Sequence, residues 1–159
     1  MRTIVVTLAL ICVAPTLCLA QDRIPVEIEH AGQDSLGLRY FFEIKEAIRG
    51  SNSMRLVDST PLTPRIRVSV ITIDRDRDKA GSGQQTTVST TLVFDSIDMP
   101  LSGAFITSYV EYCGSDRINE CTRRMLSKID AASESLRKDS PHFWKSLKAA
   151  DSTARARAQ

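Results

Sequence analysis

Three carboxylates at alternate positions, Asp74, Asp76 and Asp78, begin as a calcium-binding loop begins. Such a loop then needs glycine at its sixth position and a bidentate acid at its twelfth. Lys79 and Gln85 stand there instead, and Arg75, Arg77 and Lys79 neutralise the acids. The pattern reads as a solvated hairpin loop whose charges deter edge pairing, not as a metal site. His30 and His142 are the two histidines and so the candidate general bases. Neither has a nucleophile or an acid motif beside it. Gly-Ser pairs at Gly50-Ser51, Gly81-Ser82 and Gly114-Ser115 lack the flanking pattern of a nucleophile elbow. Gly81-Ser82-Gly83 is too short to cradle a phosphate and no Lys-Ser/Thr follows it. Nothing in these motifs calls for a cofactor.

The four cysteines divide into two pairs. Cys12 and Cys18 belong to an opening segment of Met-Arg, an apolar run over residues 3–14, and Pro15 to Ala20 ahead of Gln21-Asp22-Arg23. That is the form of a secretory signal peptide cut after Ala20, with an apolar core too short to span a bilayer. Cleavage leaves Cys113 and Cys121, which in an oxidising compartment read as one disulfide. Their separation is not that of a redox motif, and without nearby histidine they make a poor zinc site. The expected address is export, to the periplasm first and by secretion otherwise. The whole chain carries a formal charge of +2, and removing Arg2 brings it closer to neutral. A near-neutral, interspersed surface gives no reason to expect nucleic acid as a partner.

The elements that must position these residues centre on three strand-like runs at 65–74, 86–95 and 104–111. In the second, Val88, Thr90, Leu92 and Phe94 share one face and Thr87, Ser89, Thr91 and Asp95 the other. In the first, Ile66, Val68 and Val70 point inward, with Arg65, Arg67 and Ser69 outward. Ile71 and Ile73 then break the phase. Either a bulge resets the register or both faces are covered at that end, and partial covering is the expectation.

Ile24, Val26 and Ile28 make a short strand, placed near an edge because Pro25 lacks a ladder donor. Gly37, Tyr40, Phe41, Ile44, Ala47 and Ile48 form the stripe of an amphipathic helix, capped at Asp34 or Ser35 and ended by Gly50. A second short strand starts at Met54. Ile118, Cys121, Met125, Ile129, Ala132 and Leu136 mark a second helix on the same sheet face. Ser140-Pro141 opens a short C-terminal helix with Phe143, Trp144 and Leu147 on one side. Those three either close the core, which is the expectation, or form a stripe that meets a partner or membrane.

The strand–helix–strand–strand order over residues 24–74, with a Pro-led strand at Pro64, resembles small α/β modules of bacterial envelope assembly proteins, TolB amino-terminal domains among them. The resemblance implies an envelope setting and carries no functional residue.

The sequence predicts an α+β domain over residues 21–150, with a disordered basic tail at 151–159. Its sheet is mixed, mostly antiparallel and of about five strands, with two main helices on one face and the short C-terminal helix. The leading functional expectation is a non-enzymatic exported protein that binds another protein or an envelope component. Its contact surface would be the free sheet face and the loop from Asp74 to Gln85, with Arg65, Arg67, Asp74, Asp76 and Asp78 as contact residues. A small secreted hydrolase using His30 or His142, and a ligand-binding module, are the alternatives.

Overall fold

A computed structural model describes residues 23–58, 64–77, 82–95 and 103–139, with isolated positions between 141 and 156. The opening segment read as a signal peptide, Asp78, His142, Phe143, Leu147 and much of the C-terminal tail lie outside the described residues. Five strands are present: β1 (Ile24–Ala31), β2 (Met54–Leu56), β3 (Arg65–Asp74), β4 (Gln85–Asp95) and β5 (Ala104–Gly114). Two helices join them, α1 (Ser35–Arg49) between β1 and β2, and α2 (Ile118–Asp139) after β5. The sheet order is β2-β1-β3-β4-β5. β1 runs parallel to both β2 and β3, and the β3–β4 and β4–β5 pairs are antiparallel. This is the mixed α+β sheet with two helices that the alternation and the helical stripes require.

Pro25 does not mark an edge. β1 lies inside the sheet, and the three-residue β2 takes the edge beside it. The physical reason lies in the direction of the bonds. Ile24 N donates to Ser53 O and Val57 N to Val26 O, so residues 24 and 26 turn their backbone groups to the β2 side. Pro25 therefore faces the β3 side, just before that ladder begins at Val26↔Ile66, and its missing N–H removes no rung.

Both helices pack on one face of the sheet and against each other. Asp34 caps α1, its carboxylate accepting from Gly37 N at 2.5 Å. Leu36, Gly37, Tyr40, Ile44 and Ile48 then line its buried side, which follows from helical spacing of three and four. Ile118, Cys121, Met125 and Ile129 do the same for α2. Beneath them lie Val26, Val68, Val70, Val88 and Leu92, all fully buried. Trp144 is also buried and joins this core, with the Arg137 guanidinium 4.9 Å from its ring centre. Thr90 lies in the same layer, and its hydroxyl has no hydrogen-bond partner among the described residues.

The expectation of covering around Ile71 and Ile73 fails. β3 stays in unbroken register with β4 from Arg65↔Asp95 to Asp74↔Thr86. Thr72 keeps the inward phase and is buried, so Ile71 and Ile73 point to the other face, where they are 49% and 62% exposed. The one register shift lies between β4 and β5, at Leu92/Val93.

Candidate functional site

Cys113 and Cys121 are joined, with Cα atoms 6.1 Å apart. Cys113 ends β5 on its helix side, and Cys121 sits in the opening turns of α2, so the bond fixes where that helix starts. Chain-entropy arguments give so short a loop about 2–3 kcal/mol. Reduction is expected to lower the melting temperature by roughly 5–15 °C while far-UV circular dichroism stays native. An unchanged melting curve in reductant would show that the bond adds nothing.

The other candidate residues fall into two groups at opposite ends of β3. Arg65 and Arg67 lie at its start and Asp74 at its end. Ten residues at about 3.3 Å each separate these ends by roughly 30 Å. At the first end Arg65 is on the outer face, as alternation requires, but it is only 5% exposed. Its Nε bonds the Glu27 carboxylate, itself 4% exposed, and its Nη2 donates to Asp95 Oδ2 at 3.1 Å. Arg67 Nη1 stands 3.6 Å from the same Asp95 oxygen. The fork of Arg65 is thus turned toward acids and away from solvent.

At the other end Asp74 closes its own loop. It accepts from Asp76 N at 2.9 Å, Ser82 Oγ at 2.8 Å and Gly83 N at 2.9 Å. The Asp76 N–H and then the Ser82 hydroxyl hold its carboxyl below the usual carboxylate value. A group with a depressed folded pKa stabilises above its unfolded value and loses that contribution as pH falls through the folded one. Amides 76 and 83 are therefore expected to exchange hydrogen faster, relative to their intrinsic rates, only once pH has fallen below the ordinary aspartate value of about 3.9. Unaltered exchange there would mean that the carboxylate does not hold the loop. All three of these acceptor roles of Asp74 serve the loop.

This end also holds a feature that folding creates. A cavity of about 600 Å³ opens where β1 and β3 end, against the start of α1 and the β3–β4 loop. Asp34, Ser35, Thr72, Asp74, Arg77 and Ser82 supply its polar groups. β1 lies between two parallel neighbours, with α1 carrying the chain to one and the other following later. In open α/β sheets such a switch point, outside the carboxyl ends of the strands, is where ligands bind. The parallel β1–β3 pairing that makes it joins residues about forty apart in sequence, so no local pattern could have shown it.

His30 stands beside this cavity, inside β1 and not after it. Its Nε2 is 2.8 Å from Thr72 Oγ1 and its ring stacks on Phe41 with centres 5.1 Å apart. Burial lowers its pKa below the ordinary histidine value, partly offset by the Asp34 charge. The hydroxyl it meets belongs to a buried threonine pressed against Gly37 of α1. The bond ties β1 to β3, and Phe41 and Gly37 of α1 pack against its two members.

A third cluster lies on the helix side of β5. Tyr40 Oη donates to Glu111 Oε1 at 3.2 Å, and Arg124 Nε donates to Glu111 Oε2 at 3.4 Å. Lys128 Nζ is 3.8 Å from that second oxygen and 4.5 Å from the Tyr109 ring centre. Burial, and then the Glu111 charge, push the Tyr40 phenol well above its usual pKa, so it stays a donor. These groups satisfy one another across α1, β5 and α2.

What remains is the face on which neither described helix packs. Ile71, Ser89 and Val110 form one row across β3, β4 and β5, and Ile73, Thr87 and Tyr112 the next. Val110 and Tyr112 are 67% and 66% exposed, and the Arg75 guanidinium lies 5.9 Å from the Tyr112 ring centre. Sequence reading marked this face for contact but through its charges. The apolar rows escaped because Ile71 and Ile73 were expected to be covered.

Fold and site together define a small α+β domain with a partly exposed, half-apolar sheet face and a polar cavity at its strand ends. No protein-family model matches the chain, and no curated protein matches it. Among the described residues no helix is long and apolar enough to cross a membrane.

Proposed function

We propose that this protein is a non-enzymatic binding module of an exported compartment, the periplasm before the extracellular medium. It grips a partner protein with the apolar half of its open sheet face. The observation that carries this reading is the pair of rows that exposes Ile71, Ile73, Val110 and Tyr112 on a face where no described helix packs. Contiguous exposed apolar surface of this kind, rimmed by polar groups, marks interaction sites on otherwise polar proteins. Ser89 and Thr87 stand at the β4 position in the middle of each row, so the surface between the apolar side chains is flat and fits a flat apolar partner. The signal-like opening segment and the Cys113–Cys121 bond support export.

The test uses Ile71→Lys and Ile73→Lys, both in an interior strand. Exposed substitutions of this kind are expected to shift stability by no more than about 0.5 kcal/mol. Cross-linked capture of the partner from the producing cell is expected to fall at least about tenfold, as a charge placed at the centre of an apolar contact requires. Equal capture by both variants and the native protein would refute the assignment.

The cavity at the ends of β1 and β3 favours a second reading, a site for a small polar ligand. Native mass spectrometry of the protein from its producing cell separates the two. A carried small molecule favours the cavity, and a bare polypeptide mass favours the sheet face.

A further inference from the structure

We infer that β5 is a self-pairing edge, and that two copies of this chain join their β5 strands antiparallel into one ten-stranded sheet. The argument begins with the unequal ends of the sheet. An edge strand carries a row of unpaired backbone donors and acceptors, and monomeric proteins guard it by shortness, lysine, proline or an inward charge. One edge, β2, is three residues long and carries Arg55. The other, β5, is eleven residues long and contains no lysine, arginine or proline. Its one charged residue, Glu111, is turned under the helices, where Tyr40, Arg124 and Lys128 hold it. The register shift touches only the start of the strand, so residues 107–114 run regularly alongside β4. The outer edge of β5 pairs with no described strand.

Three features select a second copy as the occupant. A strand paired antiparallel with itself about a two-fold axis near its middle sets Ser108, Val110 and Tyr112 against the same residues of the other copy. All are uncharged, so no like charges oppose each other across the join. Each Glu111 is already neutralised by its own Arg124 and Lys128 and brings no repulsion. The product also closes. Both outer edges of the ten-stranded sheet are then copies of the short β2, so growth stops at two chains where a heterologous contact would continue. This inference stands apart from the partner-binding face, because pairing at the β5 edge leaves Ile71 and Ile73 open.

The test is solution mass by sedimentation and light scattering on the full protein with its disulfide intact, read with hydrogen exchange of the β5 amides. Twice the chain mass is expected above about 10 µM, in the range of a small interface. Concentration-dependent protection is expected at alternate amides of β5. Combining Ser108→Lys with Val110→Lys sets like charges across the two-fold and is expected to raise the dissociation constant at least tenfold, with native circular dichroism. Ile73→Lys is expected to leave the dimer intact. A single-chain mass at about 1 mM overturns the inference. So does a dimer whose β5 amides exchange freely, or one that the double variant does not weaken. Loss of partner capture by Ile73→Lys with the dimer intact tells the two proposals apart.

Discussion

Replacing Arg65 with Met is expected to cost about 3–5 kcal/mol, because it leaves a buried carboxylate without its cation. Glu27 is 4% exposed and Arg65 5%, on neighbouring strands. One guanidinium serves both Glu27 and Asp95, through Nε on the first and Nη2 on the second. The large cost belongs to the group left behind and not to the pair as such. Two charges taken out of water repay little net stability, whereas one stranded charge is expensive. The double variant Glu27→Leu with Arg65→Met is therefore expected to recover most of the loss. Arg65→Lys is expected to fall between the two, since an ammonium is a point charge and cannot span two acids as the planar fork does. Urea unfolding at neutral pH measures all three. An Arg65→Met protein within about 1 kcal/mol of the native one would contradict the burial of this cluster.

That cluster also shows where sequence reading stops. Alternation put Arg65 on the outer face, and it is there. It could not show that Glu27, 38 residues earlier, lies beside it, because that neighbour follows from parallel pairing of β1 with β3. The same pairing sets His30 against Thr72, 42 residues away, and opens the cavity where the two strands end. By contrast, β4 was legible in full. Val88, Thr90, Leu92 and Phe94 carry the period-two signal, and all four are buried. The stripes of α1 and α2 were legible for the same reason, at their own period. The cysteine pair was legible because few alternatives survive once the opening segment is set aside. Two local signals misled. Pro25 reads as an edge residue unless the side to which its nitrogen turns is known. Ile71 and Ile73 read as covered because two large aliphatics on a solvent face are unusual in a monomer. Their exposure is what the proposed partner face rests on, so this departure from the local rule carries the functional information.

Gly37→Ala is expected to destabilise by about 3 kcal/mol, against the usual sign for this change within a helix. In an ordinary helix alanine gains about 0.5–1 kcal/mol over glycine, because glycine loses more backbone freedom on folding. Here a Cβ would overlap Thr72 Oγ1 and stand 2.5 Å from Thr72 Cβ and 2.6 Å from Asp34 Oδ2. None of these can easily give way. Thr72 is buried and its hydroxyl meets His30, while Asp34 is the cap whose other oxygen accepts from the Gly37 amide. The first turn of α1 must lift from β3, breaking the cap or the His30–Thr72 bond. Thr72→Ala is not expected to rescue the variant, because the threonine Cβ alone is already too close. Gly50→Ala supplies the control. Gly50 ends the same helix at φ −77°, and a Cβ there would meet nothing nearer than Glu46 O at 3.6 Å. That change is expected to be neutral or to stabilise by up to about 1 kcal/mol. Thermal unfolding of the two variants gives the comparison, and the His30 ring resonances report whether α1 has moved. If Gly37→Ala melted at or above the native temperature, α1 could not be seated on Thr72, and the cavity wall built from that contact would have to be redrawn.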